Sequence, residues 1–303
     1  MSEASSHRWA SLYPELGTGP VSTEPCISPE FYARERDAVF KKTWLMVARD
    51  EELPKPGDYK VKRVDVANCS IIVMRGKDGV VRGFYNVCSH RGNTVVTETG
   101  DETFGSSKAA VLSCRFHGWV YDSGGQCVVL RDEQTGEYSE AFKRLDHGLK
   151  PLTRFGSYRG FVFGCLDASV EPLESHLGET LPFIDHLADQ SPKGMEVVRG
   201  GQTYLVRGNW KLNAENGVDG YHVSTVHQVF VRAMQQREKM GDNADMRRTE
   251  SGRLRGTQPA GCYDFGNGHN MIWSQRETPE VMPLYEAKEQ LLQDFRQEKV
   301  DWM

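Results

Sequence analysis

Two hydrophobic periods divide the chain. From Tyr59 the period is two: YKVKRVDV alternates, CSIIVMR is a short apolar run, and Lys77-Asp78-Gly79 marks a tight turn before VVRGFYNV. Further strands are predicted in AAVLSC, in GQCVVL after Ser123-Gly124-Gly125, and in GFVFGCL. Turns recurring about every ten residues predict a small all-β domain over 45–165. Ahead of it, 1–27 is irregular, with Pro14, Pro20 and Pro25. Ser28-Pro29-Glu30 then supplies a cap, a first-turn proline and an early carboxylate for a helix reaching about Lys42. Beyond Leu166 the pattern turns helical, with Leu173, Leu177, Ile184 and Leu187 near helical spacing. A strand is expected over 194–206, one or more helices over 214–240, and strands about a Gly-Asn-Gly turn over 261–273. One charged amphipathic helix closes the chain over 284–302. The division expected is therefore 1–44, 45–165 and 166–303, with no internal repeat.

Length and composition narrow the possibilities. At 303 residues the chain can bury a large core, and its 38% hydrophobic and 26% charged fractions are those of an ordinary globular protein. A net charge of −5 gives no basic field, which argues against a nucleic-acid partner. No apolar run is long enough to cross a bilayer and no signal peptide is read at the N-terminus, so a cytoplasmic location without membrane attachment is the expectation. The 7 cysteines are odd in number and widely spread, unlike a disulfide framework. Cys69, Cys127, Cys165 and Cys262 lack metal-like spacing and are read as packing residues.

Chemistry concentrates in two places. Cys88-x-His90 and Cys114-x2-His117 each offer one thiolate and one imidazole from a strand-to-loop transition. A [2Fe–2S] cluster needs two ligands per iron, and neutral imidazoles on one iron raise the reduction potential. A structural zinc ion also accepts two Cys and two His. Zinc sites usually open with two closely spaced cysteines, however, whereas each arm here pairs Cys with His. The second place is Asp219-x2-His222-x4-His227. Two His and a carboxylate with open positions are the donor set of non-haem Fe(II) oxygenases. On an ideal helix, His227 would lie about 140° around the axis from His222. A shared ion therefore requires a break or π-bulge between them, and an uninterrupted helix would count against it.

NVCSHRG followed by CRFHGWVYDSGG resembles the Rieske signature of ring-hydroxylating oxygenase α subunits. NWKLNAENGVDGYHVSTVH, GCYDFGNGHNMIWSQ and PLYEAKEQLLQDFRQEKVDWM look like the benzoate, toluate and anthranilate dioxygenase group. The resemblance implies an α+β architecture: a small all-β Rieske iron–sulfur domain inserted in an antiparallel, helix-grip catalytic domain that is incomplete here. It assigns Cys88 and Cys114 to one iron of the cluster, His90 and His117 to the other, with Trp119 and Arg91 close behind. It assigns His222 and His227 to a mononuclear Fe(II). Asp219 becomes the bridge from His222 to the Rieske histidine, matching His117, of a neighbouring subunit; Glu215 and Asn216 lie just upstream. The implied partners are an NADH-dependent reductase, dioxygen and an aromatic substrate, in a homotrimer or an α3β3 assembly with a small β subunit.

The resemblance places the third iron ligand, an Asp, beyond Met303. A reading frame cut short is the expectation, against half of a split subunit or a local acid such as Asp264 or Glu277 serving instead. The activity implied is cis-dihydroxylation of an aromatic carboxylate such as benzoate, with monooxygenation at the same centre as a variant. The alternatives are a Rieske electron-transfer protein whose second domain is a scaffold, and a zinc-stabilised binding module. Of the remaining histidines, His7, His147, His176 and His186 are expected on the surface or in the core, and His269 alone invites a check against the pocket.

Overall fold

The computed structural model describes residues 14–17, 19–191, 193–198, 200, 202–239, 260–274 and 285–303. Strand β3 (Cys69–Arg75) is the middle of the β-rich part. It lies in a four-stranded antiparallel sheet of order β4 (Val81–Tyr85), β3, β2 (Asp58–Val64), β5 (Glu102–Ser106). Its apolar run is continuous because both faces are covered. Ile72 and Met74 enter one core with Phe84, Leu112, Trp119 and Tyr121, while Ile71 and Val73 enter another with Val47, Leu53 and Val162. Each such side chain contributes about 1.5–3 kcal/mol on full burial.

The first core is closed by a three-stranded sheet of β6 (Val111–Ser113), β7 (Val120–Asp122) and β8 (Cys127–Val129). The second rests on the sheet of β1 (Leu45–Arg49), β10 (Phe161–Cys165) and β9 (Arg154–Tyr158). One glycine is forced at the seam. Gly125 has φ +88°, and a Cβ there would stand 2.4 Å from Phe84 Cε1.

Helix α1 (Pro29–Glu35) starts as read from the sequence, with Ser28 Oγ accepting from Phe31 N–H at 3.1 Å. It continues as a π-helical stretch over Arg36–Phe40. Glu35 is buried, and its carboxylate accepts from Lys211 Nζ (2.6 Å) and Trp210 Nε1 (3.1 Å). That ion pair fastens α1 to helix α4 (Trp210–Asn216), which leads directly into the second candidate site. The helical stretch after Leu166 is two helices, α2 (Leu173–Leu177) and α3 (Leu181–Asp189), separated at Gly178, whose φ is +49°.

Two expectations are corrected. The described residues of 194–206 form no strand: with no neighbour to hydrogen-bond, alternation alone does not make a ladder, and Tyr204, Leu205 and Val206 are left exposed. The C-terminal stretch is two helices, Lys288–Asp294 and Gln297–Trp302, because Phe295 and Arg296 adopt extended backbone between them. The strands about Gly-Asn-Gly are present as β11 (Ala260–Gly266) and β12 (His269–Ser274). No helix among the described residues is long and apolar enough to cross a membrane.

Candidate functional site

The two Cys/His arms fold into loops with the same backbone frame. Cys88 N–H donates to Asn93 O (2.8 Å) and Cys88 O accepts from Gly92 N–H (2.9 Å). Cys114 N–H donates to Trp119 O (2.8 Å) and Cys114 O accepts from Gly118 N–H (2.9 Å). Each loop closes on a glycine in the left-handed region, Gly92 at φ +74° and Gly118 at φ +75°. The repeated Cys-x3-Gly spacing was visible in the sequence as a sign of two equivalent loops.

Both thiols are buried, with Cys88 2% and Cys114 1% exposed, and both belong to the first core. The imidazoles are half-buried, and His90 Nδ1 lies 3.1 Å from His117 Nδ1. Two nitrogens on one tetrahedral ion, with bonds of about 2.0 Å, would stand about 3.3 Å apart. Two paired imidazole nitrogens and two buried thiols, one of each from either loop, thus suit a cluster whose irons divide the ligands two and two. Among the described residues no three or more His, Cys, Asp or Glu side chains converge as on a single ion. The donors come in pairs.

Both sulfurs have polar partners. Tyr121 Oη lies 3.0 Å from Cys88 Sγ and accepts from Ser89 N–H at 3.1 Å, while Asn93 Nδ2 donates to Cys114 Sγ at 3.7 Å. Burial pushes the Cys88 thiol above its ordinary value and pushes the Tyr121 phenol far up. Burial acts on Cys114 in the same sense, but the Phe116 and His117 backbone N–H groups and Cys88 outweigh it and hold Cys114 below the usual thiol range. Desolvation, then His117 and Arg91, keeps His90 below the ordinary imidazole value, which favours the neutral form a metal binds.

Trp119 stacks on His90 with ring centroids 4.7 Å apart and planes 16° from parallel. Its indole Nε1 is buried without a hydrogen-bond partner. A buried donor left open on a ring that stacks against His90 fits an acceptor supplied by the bound group. Arg91 is exposed. Asn86, Tyr121 and Asn93 were not singled out in the sequence, because their partners lie in other parts of the chain.

The second constellation sits where helices break. After α4 the chain turns through Gly217 and Val218, and Asp219 lies outside any helix, not on a helical face shared with His222. Helix α5 (Val223–Val226) then ends at a turn on His227 before α6 (Gln228–Lys239). The irregularity required between the imidazoles is therefore present. Asp219 Oδ2 lies 2.9 Å from His222 Nδ1, and His222 Nε2 lies 3.2 Å from His227 Nε2. Asp219 Oδ1 accepts from Tyr221 N–H at 2.7 Å. That backbone bond, then His222, holds the Asp219 carboxyl below its usual range. A carboxylate on Nδ1 fixes the tautomer that leaves Nε2 open to a metal. Glu215 and Asn216 are exposed in the last turn of α4.

Of the other acids weighed, Asp264 accepts from Gly266 N–H (2.9 Å) in the β11–β12 turn, and Glu277 lies outside the described residues, as does His7. His269 is tied to the α2 end, with Nε2 at 3.0 Å from His176 O and its ring edge-on to His176.

Family comparison matches a Rieske [2Fe-2S] domain over residues 43–143 and a ring hydroxylating alpha subunit catalytic domain over 195–303. The chain is 38% identical to toluate 1,2-dioxygenase subunit alpha of Pseudomonas putida, covering 91% of this chain and 59% of that one. It is 34% identical to the anthranilate 1,2-dioxygenase large subunit of Acinetobacter baylyi, covering 95% and 61%. Naphthalene 1,2-dioxygenase from Rhodococcus sp., solved with indole, superposes with TM-score 0.60 at 31% identity, over 68% of this chain and 45% of that one. The chain thus spans about three fifths of the length of these curated relatives. Residues 43–143 thus belong to the Rieske [2Fe-2S] domains, and residues 195–303 to the catalytic domains of ring hydroxylating alpha subunits, the kind that uses mononuclear iron.

Proposed function

We propose that this chain provides the oxygenase component of a dioxygenase that cis-dihydroxylates an aromatic carboxylate of the benzoate type. The observation that carries the reading is the pairing of nitrogens at two separate places, His90 with His117 at 3.1 Å and His222 with His227 at 3.2 Å. Cys88, Cys114, His90 and His117 would hold the [2Fe–2S] cluster, and His222 and His227 the mononuclear Fe(II). When bound, these groups supply the redox chemistry by which NADH, a proton and dioxygen convert the arene to a cis-dihydrodiol and NAD.

The chain's own residues do the rest. Asp219 orients His222 through Nδ1, and its exposure leaves it able to meet His117 of a neighbouring copy. A carboxylate between two imidazoles holds both in register, so oligomerisation completes the working unit. The resemblance to large oxygenase components of multi-component dioxygenase systems supports a trimer, with or without a small β subunit, served by a separate NADH-dependent reductase. The benzoate-type substrate rests on the toluate and anthranilate dioxygenase relatives.

The test is turnover with reductase, NADH, oxygen and benzoate. A cis-dihydrodiol formed at the expense of NADH supports the reading; oxidation of NADH with no oxygenated product points to an electron-transfer protein. That second reading draws on the exposure of Asp219 and of Tyr221 (93%), which leaves this stretch open to solvent.

A further inference from the structure

The two cluster loops share an inner frame but are anchored differently. Outside the second loop, strand pairing takes over at once: Ser113 faces Val120 and Leu112 faces Tyr121 in the β6–β7 ladder. Outside the first loop no strand follows, and the corresponding positions are Asn86 and Val95. There the connection is made by one side chain. Asn86 Oδ1 accepts from Val95 N–H (3.0 Å) and Val96 N–H (2.9 Å), and Asn86 Nδ2 donates to Val96 O (2.8 Å) and Ser70 Oγ (3.0 Å). The residue is 1% exposed, and its amide uses both donors and both acceptor positions. Its own backbone N–H extends the β3–β4 ladder by bonding Ser70 O at 2.9 Å.

We infer that Asn86 is the positioning residue of the first cluster loop, its side-chain amide standing in for the strand that the second loop possesses. The amide presents the same donor and acceptor pair that a backbone peptide offers across an antiparallel ladder. It thereby pins Val95, which packs in the same core as Cys88 and Cys114, and fixes the far end of the loop that carries Cys88 and His90. Tertiary hydrogen bonds to buried backbone groups are costly to leave unmade: Asn86→Leu removes the side-chain partners of Val95 N–H, Val96 N–H and Val96 O, and Asn86→Asp that of Val96 O alone. The cluster-holding consequence rests on the function proposed above; the anchoring does not.

The experiment compares Asn86→Asp and Asn86→Leu with the wild-type protein by hydrogen exchange and mass spectrometry. Asn86→Asp keeps the acceptors but places an oxygen against Val96 O, so it tests the inference even if Asn86→Leu fails to fold. The expected result is exchange faster by about tenfold or more in the peptide covering 87–96, with 113–120 changed less than about twofold. Chelator-driven loss of the cluster should quicken by about the same factor. Equal acceleration in both peptides would make Asn86 a general core residue and overturn the inference, as would no change in either. A wild-type protein without a Rieske signal would sink the functional reading while leaving the exchange result to judge the anchor.

Discussion

If Cys88 holds the proposed cluster, Tyr121 is a side chain that tunes the site without ligating it. Its hydroxyl reaches Cys88 Sγ at 3.0 Å, where it stabilises negative charge on sulfur, and the reduced cluster carries more of that charge. Tyr121→Phe should therefore lower the reduction potential by about 30–60 mV, measured by redox titration of the Rieske signal. An unchanged or raised potential would contradict the bond. Gly92 and Gly118 act through conformation alone: each has positive φ, and no clash awaits a Cβ at Gly92. Gly92→Ala should cost about 1–2 kcal/mol in denaturant unfolding, from left-handed strain in the loop. At this scale the sequence was readable where the chemistry is intrinsic. Cys88, His90, Cys114 and His117 stand out by type and spacing, and the structure brings the two imidazoles together. Tyr121 and Asn86 do not, because a phenol or an amide acquires its role only from the Sγ or carbonyl that the fold brings to it.

Elements carry the site in a way that their own patterns only partly reveal. The β3 run was legible as a strand, yet its burial on both faces is a property of the two sheets around it. The described residues of 194–206 show the converse: the alternation is there, and no strand forms among them. The helix break at Asp219–His227 was inferable because two imidazoles five positions apart cannot meet on an ideal helix. The Glu35 clamp between α1 and α4 was not inferable, since it joins residues far apart in the chain. Glu35→Gln should remove the ion pair with Lys211 and cost about 1.5–3 kcal/mol, read from the shift in denaturant midpoint. The β11–β12 hairpin should be sensitive to acid. Burial, then the neighbouring His176, holds His269 below the ordinary imidazole value. A depressed folded-state value means its contribution is full above the unfolded imidazole value of about 6.5 and is lost as pH falls through the folded one. Thermal stability should thus fall more steeply with acidification in wild type than in His269→Gln; parallel pH profiles would rule this out.

For the whole molecule, the account makes assembly part of the site. If Asp219 joins His222 to His117 of a neighbouring copy, Asp219→Asn should leave the cluster spectrum intact while electrons reach the second centre about 10- to 100-fold more slowly in single turnover, the range expected for such partners. The central claim, however, is that two imidazoles and two thiolates of this chain hold one [2Fe–2S] cluster. Pulsed EPR of the dithionite-reduced protein addresses it most directly. The account predicts a Rieske signal with nitrogen couplings from two histidines, abolished in His90→Ala and in His117→Ala. A protein that contains zinc without acid-labile sulfide, or a reduced cluster with no nitrogen coupling, would contradict it.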